Sequence, residues 1–177
     1  GRGSADKIFV NTSGIGVVPS GVDLSSRNVR AGDAILLSGT IGDHGVAILS
    51  TREGLEFDGS LESDTAPLHE LVAAILAAFP AVHAMRDPTR GGLAATLVEI
   101  ASRGRLGMNV DERSIPMTDT VRGACEILGL DPLLVANEGK LVAFVPEEGC
   151  DRVLEAMRDH PLGRRAAHIG RVTEGHP

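Results

Sequence analysis

Apolar and polar positions along this chain follow two rhythms. Short apolar runs at 34–38, 82–85 and 141–145 predict strands, and 107–111 and 168–172 read as two more. Between them Leu68, Leu71, Val72, Ile75, Leu76 and Phe79 recur at helical spacing, which predicts a helix over 66–79 that Pro80 stops. Leu93, Leu97, Ile100 and Ala101 predict a second helix ending near Gly104, and 119–128 reads as a third. Pro146-Glu147-Glu148 opens a fourth, whose buried side is Val153, Leu154 and Met157. A further helix from near His44 carries Val46, Ile48 and Leu49. Residues 7–11 read as a leading strand, with Gly14-Ile15-Gly16-Val17-Val18 continuing apolar until Pro19, and the polar 52–64 stretch reads as a surface loop at the edge of a cleft. The connections mix hairpin-like and crossover types. The expected fold is α+β: an α/β sandwich of two or three layers, with a mixed, mainly antiparallel sheet packed by helices, in one domain over 1–177.

Composition narrows the function classes. At 177 residues and 42% hydrophobic the chain can bury a core, and that core is aliphatic, since Trp and Tyr are absent and Phe occurs four times. Few aromatics and a net charge of −7 argue against nucleic acid and against an anionic membrane surface as partners. No apolar run reaches membrane length, so the expected location is cytoplasmic. Cys125 and Cys150 lack a neighbouring thiol in sequence and read as reduced, structural cysteines. No histidine pair has zinc spacing, so no metal site is expected from the protein alone; His69 reads as solvated and His83 as a satisfied core or edge residue. Gly14-Ile15-Gly16 lacks the third glycine and following helix of a dinucleotide fingerprint.

Three stretches carry candidate chemistry. Met85-Arg86-Asp87-Pro88-Thr89-Arg90-Gly91-Gly92-Leu93-Ala94 places an acid, two arginines, a hydroxyl and two glycines at the start of a helix. With no Cβ at Gly91 and Gly92, an anion could approach the backbone N–H groups there, favoured by the helix dipole and Arg90, with Asp87 and Thr89 alongside. In the second stretch, Ser38-Gly39-Thr40-Ile41-Gly42-Asp43-His44-Gly45, Asp43 is placed to cap a helix and His44 to face a ligand at its start. The third, Asn137-Glu138-Gly139-Lys140, stands between apolar runs; it reads equally as side chains held at a sheet end or as an ordinary hairpin turn.

Taken in order and spacing, these motifs resemble the C-terminal domain of the aminoimidazole-ribonucleotide-synthetase-like (PurM-like) ATP enzymes, and among them the carbamoyl dehydratases of hydrogenase maturation, over nearly the whole chain. The resemblance implies an ATP site, with Mg2+, built mainly by an N-terminal domain outside 1–177, and a cysteine-ended tail that is also outside it; this portion alone is expected to hold no cofactor and to be inactive. It further implies ATP-driven conversion of a carbamoylated cysteine (thiocarbamate) to thiocyanate, which supplies cyanide ligands for nickel–iron hydrogenases. The implied partners are a carbamoyltransferase and an iron-scaffold protein, and the implied assembly is a homodimer. Such chemistry needs a proton acceptor and cations for phosphate. Glu138 is then the candidate base, Lys140 and His44 the further catalytic candidates, and Asp43, Asp87, Thr89, Arg90, Gly91, Gly92 and Asn137 the anion- and substrate-binding candidates. Two alternatives stay open: another ATP enzyme of the same family, such as a selenophosphate or aminoimidazole-ribonucleotide synthetase, and a noncatalytic module that docks a partner's peptide tail.

Overall fold

The computed structural model describes residues 13–54 and 61–175; the strand expected over 7–11 lies outside them. Five strands form one sheet: β1 (Ala34–Leu37), β2 (Ala84–Arg86), β3 (Gly107–Val110), β4 (Val142–Val145) and β5 (Ala167–Thr173). Their order is β2-β4-β1-β5-β3. Every ladder is antiparallel, so the parallel component expected from crossover connections is not formed among the described residues. The reason is the interleaving: every connection that carries a helix joins two strands that are not neighbours in the sheet, so no crossover-linked pair shares a ladder.

Five α-helices accompany the sheet: α1 (Asp43–Glu53), α2 (His69–Ala78), α3 (Gly92–Gly104), α4 (Asp119–Leu128) and α5 (Cys150–Asp159). Alternation along the strands divides the core by face. Ala34, Leu36, Ala143 and Val145 pack with Leu71 and Ile75 of α2 and Val153 and Met157 of α5. From the opposite face Ile35, Leu37, Val142 and Phe144 pack with Leu93 and Ile100 of α3. The central strands β1 and β4 are therefore buried along their whole length, and the domain has three layers. A smaller cluster of Val46, Val121, Ala124 and Cys125 joins α1 to α4 beyond the sheet end.

Differences from the expected elements have local causes. Helix α2 starts at His69 rather than 66, because Ala66 precedes Pro67 and is disfavoured in helical conformation. Pro146 leads into a 3₁₀ turn, Glu147–Gly149, and the α-helix proper opens at Cys150. The apolar stretch after Asp131 forms a 3₁₀ turn, Pro132–Leu134, so Asn137-Glu138-Gly139-Lys140 has no strand before it and is not a hairpin. It lies at the end of the sheet, directly ahead of β4. Ile15, Val17 and Val18 belong to no regular element and their side chains are exposed. His69 is exposed, and His83 Nδ1 lies 2.8 Å from Asp33 Oδ2, a satisfied edge histidine. Cys125 and Cys150 are both free and buried in different clusters, and burial pushes both thiols up from their ordinary value, with nearby acids adding to the effect.

Candidate active site

The three motifs converge at one end of the sheet, and Asn137 joins them. Its side chain is fully buried. The Gly42 N–H donates to Asn137 Oδ1 at 2.8 Å, while Asn137 Nδ2 donates to Pro88 O at 3.0 Å and Val135 O at 3.1 Å. One amide thus holds the loop ahead of α1, the loop ahead of α3 and its own approach to β4. Asn137 was a substrate-binding candidate on sequence grounds, but with its amide committed inside the protein it serves as the tie between the motifs.

The glycines of the signature differ from expectation in the same way. Gly91 and Gly92 have φ of 77° and 65°, left-handed values that other residues rarely adopt, and they form the turn into α3. The Gly92 N–H donates to Thr89 O at 3.0 Å, so it is not free for an anion. A Cβ at Gly92 would overlap Leu133 O and lie 2.7 Å from Val135 O. At Gly92 the missing side chain lets the 133–135 backbone approach.

Asp43 is also placed differently. Gly42, in left-handed conformation, holds the cap position of α1, and Asp43 is the first helical residue, with its carboxylate accepting from the Thr40 hydroxyl. His44 follows it, half-buried, with Nδ1 2.8 Å from Ser63 Oγ.

Two hollows open on either side of 137–140. The first is lined by Arg86, Asp87, Thr89, Arg90, Glu99 and Glu138 among others. Arg86 is engaged, with Nη2 3.3 Å from Glu99 Oε2 and Nε 3.7 Å from Asp87 Oδ1, and Glu99 also pairs with Arg103 at 2.9 Å. Arg90 makes no ion pair among the described residues and is exposed, as is Glu138. An unpaired guanidinium and an unpaired carboxylate therefore face one solvent-filled space, an arrangement that can receive a phosphate on one side and a proton on the other.

The second hollow is lined by Gly39, Thr40, Ser63, Asp64, Lys140 and Arg165 among others. Lys140 points here, away from the Glu138 hollow, with Nζ 3.0 Å from Asp64 Oδ2; the two side chains are 12% and 4% exposed. Lys140, a catalytic candidate on sequence grounds, is thus the partner of Asp64. Sequence reasoning missed Asp64, which fell in a stretch read as a solvated loop. The available signal was Lys140 itself: a lysine hemmed by apolar runs needs a buried counter-charge. Among the described residues no three His, Cys, Asp or Glu side chains group as metal ligands, and no helix is long and apolar enough to cross a membrane.

Fold and site together define a C-terminal domain of the aminoimidazole-ribonucleotide-synthetase class. The model of the family "AIR synthase related protein, C-terminal domain" matches residues 30–177, and the chain belongs to that family. The carbamoyl dehydratase HypE of Cupriavidus necator is 58% identical over 173 residues, 98% of this chain and 49% of that protein. The chain therefore spans about half the length of the curated relatives it matches. A crystal structure of Escherichia coli HypE superposes with a TM-score of 0.92 at 47% identity, covering 98% of this chain and 54% of that one. HypE in complex with ATP superposes with a TM-score of 0.83 at 46% identity (85% of this chain, 45% of that one). The HypE–HypF complex does so with 0.84 at 42% (86% and 50%).

Proposed function

We propose that this chain is the C-terminal half of an ATP-dependent carbamoyl dehydratase that converts a carbamoylated cysteine to thiocyanate for nickel–iron hydrogenase maturation. The observation that carries the reading is that Arg90 and Glu138, neither of them in an ion pair among the described residues, line one hollow, in a chain 58% identical to a HypE carbamoyl dehydratase. The other half of the relatives' length supplies most of the nucleotide site, consistent with Ile15, Val17 and Val18, apolar side chains that are exposed among the described residues.

In this reading the carbamoyl oxygen attacks the γ-phosphorus of ATP, ADP leaves, and the first N–H proton passes to the Glu138 carboxylate, which releases it to solvent, giving an S-linked imidate phosphate. The second N–H proton then passes to Glu138 as the C–O bond breaks, releasing phosphate and leaving the nitrile. Arg90 meets the phosphate, since its guanidinium presents a donor fork to oxyanions, and Thr89 adds a hydroxyl at the rim. Asp87 borders the hollow and would supply one of the one or two carboxylates that Mg2+ takes beside nucleotide phosphates, leaving Glu138 free as the proton acceptor. His44, Asp43 and Lys140 stand on the second hollow and its approach, where they shape the loops rather than meet the phosphate. The matching HypE–HypF complex supports a carbamoyltransferase as the donor partner. An iron-scaffold protein as acceptor, a homodimeric parent and a cytoplasmic setting complete the reading.

The test is Glu138→Gln in the full-length enzyme with its cysteine carbamoylated. Thiocyanate formation in a single turnover should fall by about 10²–10⁴-fold, the usual share of general-base catalysis, while ATP affinity stays unchanged. Formation at the parental rate would move the base elsewhere.

A further inference from the structure

The 61–66 segment makes contacts that its sequence does not announce. Asp64 Oδ1 accepts from the Glu138 N–H at 3.0 Å and Asp64 Oδ2 from Lys140 Nζ at 3.0 Å, with the Asp64 side chain 4% exposed. The main chain is involved as well: a Cβ on Gly139 would overlap Asp64 O and lie 3.0 Å from Ala66 N, so the two backbones are pressed together at that point. One residue earlier, Ser63 Oγ lies 2.8 Å from both His44 Nδ1 and Thr65 Oγ1. The segment therefore crosses the ends of two motifs. It holds His44 through Ser63, and through Asp64 it holds the backbone of Glu138 together with the amine of Lys140.

We infer that Asp64 is a positioning residue, whose bond to the Glu138 N–H and ion pair with Lys140 fix the backbone from which the Glu138 carboxylate reaches into the Arg90 hollow. This rests on the reading of Glu138 as the base. The physical basis is directional. Glu138 itself is exposed and has no side-chain partner among the described residues, so its aim depends on the backbone, and that backbone is clamped on its other side by the buried carboxylate of Asp64. A charge-assisted hydrogen bond of this kind is roughly twice as strong as a neutral one. Misplacing a reacting group by about 1 Å can cost about 10²-fold in rate.

The experiment is a mutant cycle in the full-length enzyme, joined to amide exchange on this chain. Asp64→Ala should lower single-turnover thiocyanate formation by about tenfold or more with the KM for ATP unchanged. Asp64→Ala combined with Glu138→Gln should be no slower than Glu138→Gln alone, because Asp64 acts through Glu138. Asp64→Asn, which keeps an oxygen for the Glu138 N–H, should lose less than Asp64→Ala and stands in if the alanine variant does not fold. In the 177-residue chain the Glu138 amide should exchange about tenfold faster in Asp64→Ala than in the parent, the effect of losing a bond to a charged group. Multiplicative losses in the cycle, an ATP KM that rises with the rate loss, or unchanged exchange at Glu138 would overturn the inference. Exchange is independent of chemistry, so a Glu138→Gln enzyme that runs at the parental rate would sink the base assignment while leaving the role of Asp64 separately measurable.

Discussion

Asn137 and Glu138 are neighbours in sequence and opposites in structure. The Asn137 side chain is fully buried and bonded to three loops, while Glu138 is exposed and faces an open hollow with Arg90. The same contrast divides the signature stretch, where Gly92 is pressed against the 133–135 backbone and Arg90, two residues earlier, is exposed and in no ion pair among the described residues. A motif that reads as one site therefore contains two kinds of residue. Some bring loops together, and others are presented by the loops so gathered. The difference shows in what each could lose: removing a junction residue strands buried polar groups or backbone, whereas removing a presented one leaves only water behind.

That contrast can be broken from its buried side first. Gly139→Ala should be the most damaging change, destabilising the chain by about 3–5 kcal/mol, because its Cβ would overlap Asp64 O and neither backbone can yield cheaply. Urea unfolding of the isolated chain measures this, and a loss below about 1 kcal/mol would mean that the 61–66 segment moves aside freely. Gly92→Ala should cost about 2–4 kcal/mol in the same assay, from left-handed φ combined with overlap on Leu133 O. If phosphate binding is lost while stability is retained, the glycine serves a ligand after all.

A chemical probe sharpens the same boundary. Cys125 belongs to the cluster against which Val135 packs, and the Val135 carbonyl accepts from Asn137, so that cluster adjoins the junction. Burial, with Asp131 adding, raises the titration of Cys125 above the ordinary thiol value, so less thiolate is present at a given pH and alkylation should be slow at neutral pH, becoming appreciable only as pH rises. Asn137→Ala should speed that alkylation by loosening the junction. Fast alkylation in the parent at pH 7 would show that the cluster is open. The smallest effect is expected on the presented side: Arg90→Ala should alter unfolding free energy by less than about 0.5 kcal/mol, since an exposed, unpaired arginine contributes little to stability.

Much of this architecture can be read from periodicity. The five strand regions and the helices seen at 92–104, 119–128 and 150–159 follow from apolar spacing and from Gly and Pro at their ends. Layering follows too, because β1 and β4 are continuously apolar and must be covered on both faces. What spacing does not encode is direction across the chain. Nothing local says that Lys140 turns away from Glu138 toward a carboxylate 76 positions earlier, or that Gly42 bonds to a side chain 95 positions later. The glycines at 91 and 92 illustrate a second gap: a special conformation was legible, but a close approach to backbone and a close approach to ligand leave the same mark in sequence. Asn137 was legible as a member of the site and illegible in its role, because a buried amide and a ligand-facing amide are the same residue until their partners are placed.

The central claim is that adjacent residues divide holding from acting, and unfolding free energy and single-turnover rate measured on Asn137→Ala and Glu138→Gln test it together. Asn137→Ala should lose about 3–4 kcal/mol of stability, from three buried hydrogen bonds and the groups left unpaired. Glu138→Gln should stay within about 0.5 kcal/mol of the parent while thiocyanate formation in the full-length enzyme drops by about 10²–10⁴-fold. Equal stability losses in the two variants, or a Glu138→Gln enzyme that turns over at the parental rate, would contradict the division.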